Sequence, residues 1–201
     1  MNRSKLVEIN LLFIIVGMLV LSVNSCSRCS PDEEMHFRIN EELLGETFAD
    51  SLLAIELRIP VNWTDITEDI KILVESRFED AQLDFEQGLK FQKGYGNLEE
   101  MAFMLIFDFD YRKISDDKEE AILTFLTDFA EVTEIFQQGT YLFNDFRFHQ
   151  LTSRENDIIN IKLLGYGQEE GVFLLDYYIH EPKYMNYIAT IESSIGSIKH
   201  K

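Results

Sequence analysis

The sequence predicts an α+β domain in which helices pack on an antiparallel β-sheet. Three strand-like segments, at about residues 145–152, 157–166 and 172–180, follow one another through short polar turns, as in an antiparallel meander. Two earlier segments also have strand character, and segments of helical periodicity lie between and after the strands. The predicted order of elements is β-α-β-α-β-β-β-α.

The first predicted strand and helix lie before residue 88. Residues 53–59 alternate apolar and polar side chains, the period of a half-buried strand, and Pro60 ends the pattern. Thr67 is expected to be the N-cap of a helix that runs to about Phe85. The apolar stripe of this helix consists of Ile70, Leu73, Val74, Phe78 and Ala81.

The middle of the domain predicts a central strand and a second helix. Residues 101–111 form a dense apolar run, expected to be buried on both faces over its first half. Ser115 is the expected cap of the second helix and Gly139 its terminator. Helical spacing relates Ile122, Phe125, Leu126, Phe129, Thr133 and Phe136. No element is assigned to residues 89–100.

Each strand of the C-terminal meander is predicted to have an apolar face and a polar face. The apolar face contains Ile159, Ile161, Leu163, Phe173, Leu175, Tyr177 and Ile179. The opposite face contains Arg147, His149, Asn160, Lys162, Asp176 and His180. Pro182 begins a final helix, with an apolar stripe made of Tyr184, Tyr187, Ile188, Ile191, Ile195 and Ile198.

The N-terminus predicts a lipoprotein signal peptide over residues 1–25. Arg3 and Lys5 precede a thirteen-residue apolar run, Leu11 to Val23, which is too short to span a bilayer comfortably. The end of this run and the two residues after it read Leu-Ser-Val-Asn-Ser before Cys26, a pattern that resembles a lipobox. Cys26 is therefore the expected lipid (palmitate) attachment site, and an uncleaved membrane anchor is the alternative.

Residues 26–47 are predicted to be an acidic tether and residues 48–201 a single domain. The tether contains Cys29, which forms a Cys-x-x-Cys pair with Cys26, but redox motifs of this spacing open a helix after a strand. Its acidic triplet at residues 32–34 is similar to signals that send some bacterial lipoproteins to the cell surface, and a solvated linker explains it equally well. The expected location is the bacterial cell envelope, at the outer membrane, on its periplasmic face or at the cell surface.

The overall charge argues against nucleic acid as a partner. The chain has a net charge of −18, and residues 1–25 contribute +1, which leaves −19 for the remainder. This field repels phosphate backbones and anionic lipid headgroups. Only 3 prolines and 10 glycines occur, so the composition favours a folded domain over disorder.

The sequence contains few residues in patterns that support catalysis or cofactor binding. His149, Asp176 and His180 are the candidates for zinc binding or acid/base chemistry, although surface histidines explain them better. Asp108 and Asp110 place two carboxylates on one side of a strand end, a weak indication of a cation site. We therefore predict no catalytic residues, no metal and no cofactor. A recognition surface made of loop aromatics is a further hypothesis, and its members would be Trp63, Tyr95, Tyr166, Tyr178 and Tyr184.

The element order, the Ile-Pro-x-x-Trp strand end at residues 59–63 and the Ile-x-x-Ser-Ile-x-x-Ile helix at residues 191–198 resemble the PsbP-like and DcrB-like proteins. The resemblance covers roughly residues 48–201. It implies an α-β-α sandwich, and many bacterial members are secreted or lipid-anchored. Since members act mainly as binding or assembly factors, the resemblance also implies a binding or envelope-assembly role with a protein partner. The alternative is a metal-dependent or acid/base hydrolase that uses the polar face of the meander.

Overall fold

A computed structural model of the chain describes residues 33–80, 89–109, 120, 122–124, 126, 134–166 and 171–201. Every described residue lies within one compact unit, residues 32–201. The two α-helices with defined bounds are α1 (Thr67–Asp80) and α2 (Tyr184–Gly196). The strands are β1 (Glu33–Glu34), β2 (Leu44–Asp50), β3 (Ile55–Pro60), β4 (Thr64–Asp65), β5 (Leu89–Asn97), β6 (Ala102–Phe109), β7 (Glu134–Phe143), β8 (Phe146–Glu155), β9 (Ile158–Tyr166), β10 (Val172–His180) and β11 (Lys199–His200).

The strands form a large sheet and a small one. The large sheet has the order β1-β7-β8-β9-β10-β6-β5-β4, and all its pairs are antiparallel except the short parallel pair of β1 and β7. The small sheet has the order β11-β3-β2 and is antiparallel. The meander runs from β7 to β10 through successive antiparallel neighbours.

Hydrophobic cores lie on both faces of the large sheet. The first core joins one face to β3 and α2, and Ile55, Leu57, Ile191 and Ile195 are buried in it. The second core joins the opposite face to α1 and to helical residues that include Ile122 and Leu126. These layers give an α+β architecture in which the large sheet is covered on both sides.

Several predicted elements are confirmed. β3 occupies the predicted alternating segment, and β6 lies between β10 and β5 as a central strand with Met104 and Ile106 fully buried. The predicted meander strands correspond to β8, β9 and β10, and all the residues predicted on its apolar face lie in the first core. The final helix also packs as predicted, since Ile191 and Ile195 are buried; Ile198 is buried too but lies beyond the helix end at Gly196.

The prediction around residue 136 is wrong. Phe136 and Gly139, expected to continue and end the second helix, lie in β7. The first half of β7 is exposed, so no alternation of buried and exposed side chains marks it as a strand. Ile122 and Leu126 are buried in helical backbone as predicted, whereas Ser115, Phe125, Phe129 and Thr133 lie outside the described residues.

The structure adds β5, to which no element was assigned. Glycine explains why its pattern is hard to read: a Cβ on Gly94 would lie 2.5 Å from Ile70 Cδ1, and one on Gly96 would lie 2.4 Å from Phe103 Cβ. Small residues at these positions allow α1 to pack on β5 and the strand to approach β6 closely. They also remove two side chains from the alternation.

The start of α1 differs from the prediction by one residue. The Ile66 carbonyl accepts the first helical hydrogen bond, from Ile70 N–H, so Ile66 and not Thr67 is the N-cap. The Asp65 carboxylate accepts from Thr67 N–H at 2.9 Å, and the Thr67 hydroxyl accepts from Gly94 N–H at 3.1 Å. Leu73, expected in the buried stripe, is 69% exposed, and the predicted end near Phe85 lies outside the described residues.

The predicted domain boundary at residue 47 lies inside β2. Leu44 is buried, and β2 pairs with β3 along most of its length. The segment assigned to the tether also contributes β1 and Phe37, whose ring centroid lies 4.9 Å from that of Phe143 in β7. Polar residues dominate this segment, and its few apolar side chains show no period.

Candidate functional site

A cavity of about 330 Å³ lies between α1 and the face of the large sheet that carries the second core. This volume is at the lower end of the range for small-molecule sites, which are mostly apolar with few polar groups. Its apolar wall includes Ile70, Val74, Phe103, Leu105, Phe107 and Leu174. The polar groups that line it are those of Glu155, Asn156, Lys162, Asp176 and Tyr178.

Two of these polar residues form a buried ion pair. Lys162 Nζ lies 3.0 Å from Asp176 Oδ1 and 2.9 Å from Oδ2, and both side chains are 5% exposed. Buried charges of this kind persist only when they are paired and hydrogen-bonded. The pairing therefore keeps two charges stable beside an apolar wall.

Neighbouring side chains complete the hydrogen bonding of the carboxylate. Asn160 Nδ2 donates to Asp176 Oδ1 at 2.6 Å, and Tyr178 Oη donates to Oδ2 at 2.8 Å. With the two bonds from Lys162, each carboxylate oxygen accepts two hydrogen bonds, which matches its acceptor capacity. The Lys162 ammonium also lies 5.5 Å from the centre of the Tyr178 ring, within cation–π range.

Sheet register and helix packing build this arrangement. Lys162 on β9 is directly opposite Asp176 on β10, so their side chains are neighbours on one face. Tyr178 follows two residues later on that face and stacks on Phe103 of β6, with centroids 4.9 Å apart. The sequence places Lys162, Asp176 and Asn160 together on the polar face, but it does not reveal that they are buried beside a cavity that α1 borders.

The structure does not bring the three candidate hydrolase residues together. His149 on β8 pairs with Leu164 on β9, which in turn pairs with Leu174 on β10. Asp176 lies two residues beyond Leu174, so the Cα atoms of His149 and Asp176 are separated by two strand spacings and two residue rises, roughly 12 Å in all. His180 lies four residues farther along β10, roughly 13 Å from Asp176. The described residues contain no group of three histidine, cysteine or carboxylate side chains able to hold a metal ion.

His149 instead belongs to a separate polar contact. Its Nδ1 lies 2.6 Å from Thr140 Oγ1, and its Nε2 lies 3.0 Å from Tyr166 Oη. It also lines a smaller cavity of about 120 Å³, which Lys162 borders from the other side. A histidine held through both ring nitrogens is oriented, but it has no carboxylate in these two contacts.

The proposed recognition surface of loop aromatics is not formed. Trp63 and Tyr95 are buried in the first core, and burial raises the pKa of the Tyr95 hydroxyl. Tyr166 and Tyr178 lie in strands, where the first contacts His149 and the second contacts Asp176. Tyr184, which is partly buried, packs against the first core, so these aromatics serve packing and local hydrogen bonding.

The remaining candidate residues fall at the edge of the structure or outside it. Asp108 is in β6, opposite Lys90 of β5, and Asp110 lies outside the described residues. Cys26 and Cys29 also lie outside them. Within the described part of the chain, no helix is long and apolar enough to cross a membrane.

By sequence, neither a protein-family model nor a curated protein matches this chain. By structure, it is similar to a cyanobacterial PsbP (CyanoP) from Synechocystis sp. PCC 6803, known from a solution structure. The TM-score is 0.50 at 10% identity, over 78% of this chain and 92% of the other. At this identity the similarity concerns the fold alone. The chain has a PsbP-like α+β fold.

Proposed function

We propose that this chain is an exported bacterial lipoprotein, anchored by lipid on Cys26, whose folded part is a non-catalytic binding or envelope-assembly module. The short apolar run ending in a lipobox-like pattern before Cys26 supports the anchor. Among families with this fold, the DcrB-like lipoproteins are the class to which we assign it. The acyl anchor places it in the cell envelope, at the outer membrane or the cell surface.

The observation that supports a binding role best is the cavity with its ion pair, in which the Asp176 carboxylate is fully hydrogen-bonded. An acid or base catalyst must exchange a proton with a substrate. A carboxylate can do so when one of its oxygens has a free hydrogen-bonding position that faces the reacting group. Asp176 accepts four hydrogen bonds from protein groups, so its position favours structural and binding roles. An apolar cavity with such a fixed polar end suits recognition of a ligand.

A protein partner in the envelope is the second part of the proposal. A domain tethered to a membrane meets its neighbours there at a high effective concentration, so modest affinities are sufficient for assembly. The charge of −19 after residue 25 disfavours nucleic acid. The hydrolase alternative would instead require His149, Asp176 or His180 to perform chemistry.

The experiment that separates these functions replaces the two histidines and leaves Asp176 in place. Replacing Asp176 alone would leave a buried lysine charge unpaired and strongly destabilise the domain, whatever the function. A strain that lacks the gene is complemented with wild type or with His149→Gln/His180→Gln, and folding is checked by circular dichroism. Full complementation is expected for a binding module, and loss of complementation by a folded variant would favour the hydrolase.

A further inference from the structure

The Lys162–Asp176 pair that lines the cavity offers a hydrogen-bond donor and no free acceptor. Both oxygens of Asp176 are fully occupied by Asn160, Lys162 and Tyr178. An ammonium group has three hydrogens, and Asp176 is the only acceptor of Lys162 among the described residues. Within the described part of the chain the third hydrogen has no acceptor, so a ligand that carries an acceptor atom can take it.

The rest of the cavity requires an apolar ligand. Leu105, Phe107 and Leu174 form its floor on the sheet, and Ile70 and Val74 cover it from α1. At its edge Leu73 is 69% exposed and Met101 is 47% exposed, so the apolar wall continues outward to the solvent. A hydrocarbon chain would remove this surface from water.

The charges around the cavity favour an uncharged ligand. Lys162 and Asp176 neutralise each other, so a buried anion would add an uncompensated charge to the site. A cationic head group would find no free acceptor on Asp176.

We propose that this cavity binds an uncharged acyl ester, whose carbonyl oxygen accepts a hydrogen bond from Lys162 while its chain lies along the apolar wall. This proposal rests on the proposed binding function and specifies its ligand. The ester combines the two features that the site requires, a hydrocarbon chain and a neutral acceptor.

The test uses the full chain in isolated bacterial membranes. A methyl laurate analogue that carries a photoreactive diazirine and an alkyne is added and irradiated, and labelled peptides are identified by mass spectrometry. We expect labelling of peptides from α1 and β6, reduced by unlabelled methyl laurate. Laurate and dodecane should compete less well, because the first is charged and the second has no acceptor.

Two sets of variants test the site itself. Leu73→Asp should reduce labelling several-fold, whereas Ile72→Asp should not, because both residues are exposed on α1 but only Leu73 lines the cavity. Lys162→Met/Asp176→Leu removes the donor without leaving a buried charge, and it should lower the apparent affinity for methyl laurate about tenfold or more. Lys199→Met, at a 60% exposed lysine in β11, is the matched control. Limited proteolysis in the membrane checks that each variant is folded.

Equal labelling of wild type and Leu73→Asp would overturn the proposal, and so would laurate or dodecane competing as well as methyl laurate. If labelling fails while the histidine variants still complement, the chain remains a binding module and only the ester is excluded. If the histidine variants fail to complement but labelling is retained, the proposed function is wrong and the cavity still binds the ester.

Discussion

Lys162 and Asp176 face each other across β9 and β10, with Lys162 Nζ within 3.0 Å of both carboxylate oxygens and both side chains 5% exposed. The pair lies beside an apolar cavity under α1. Removing one partner leaves a buried charge, whereas removing both can be neutral or stabilising. A larger loss of stability from the single substitution than from the double one therefore distinguishes a compensated ion pair from two independent polar residues.

Asp176→Leu alone should therefore lower the free energy of unfolding by about 3–5 kcal/mol. Lys162→Met/Asp176→Leu should recover most of this loss, since no charge then remains buried. Lys199→Met, which breaks the exposed pair with Glu56, should cost less than about 1 kcal/mol. Urea unfolding of residues 32–201 measures all three. A double variant as unstable as the single one would show that the pair is not the dominant interaction.

The burial of this pair could not be predicted from sequence, although its geometry could. Alternation along residues 158–180 correctly placed Lys162 and Asp176 on one face, because side chains alternate in every strand. Which face is covered depends on where α1 packs, a contact between residues that are distant in sequence. The polar character of the face indicated exposure to solvent.

Two long strands that the sequence did not predict, β5 and β7, were missed for related reasons. In β5, Gly94 and Gly96 replace the side chains that would have marked the alternation, because α1 and β6 approach too closely for a Cβ. In β7, Ile135 and Phe136 are about half exposed, so their apolar character does not report a buried face. A local sequence pattern does not reveal a strand where contacts with distant segments determine which residue types the strand contains.

The docking of α2 provides a second stability prediction. Ile191 is 1% exposed in the first core, so Ile191→Asp buries an unpaired carboxylate and should lower the free energy of unfolding by about 3–5 kcal/mol. Met185→Asp, at a 77% exposed position of the same helix, should change it by less than about 0.5 kcal/mol. An unchanged melting temperature in Ile191→Asp would show that the helix does not dock on the sheet.

The third prediction concerns Asp65, which precedes α1. Hydrogen bonds from the Lys93 ammonium and from Thr67 lower the pKa of this carboxyl from 3.8 to about 2. A lowered folded-state pKa means that the stabilisation is present above pH 3.8 and is lost as the pH falls toward 2. The two side chains are 44% and 39% exposed, so solvent screening limits the contribution to less than about 1 kcal/mol.

Asp65→Asn should therefore destabilise the domain slightly at pH 7 and by a smaller amount at pH 2.5. The asparagine oxygen can still accept from Thr67 N–H, so the comparison isolates the charge. Urea unfolding of both proteins at pH 7, 4 and 2.5 provides the measurement. If the difference in the free energy of unfolding between the two proteins grew as the pH fell, the lowered pKa of Asp65 would be contradicted.

We propose that lipid on Cys26 anchors this domain to a bacterial membrane, and metabolic labelling with an alkyne-bearing palmitate analogue tests this anchor. Cys29, three residues farther along, supplies the matched control. Wild type and Cys29→Ser should incorporate the label and sediment with membranes. Cys26→Ser should do neither, because its hydroxyl cannot take the place of the thiol that is acylated. Equal labelling of Cys26→Ser and wild type, or loss of label in Cys29→Ser alone, would contradict the account.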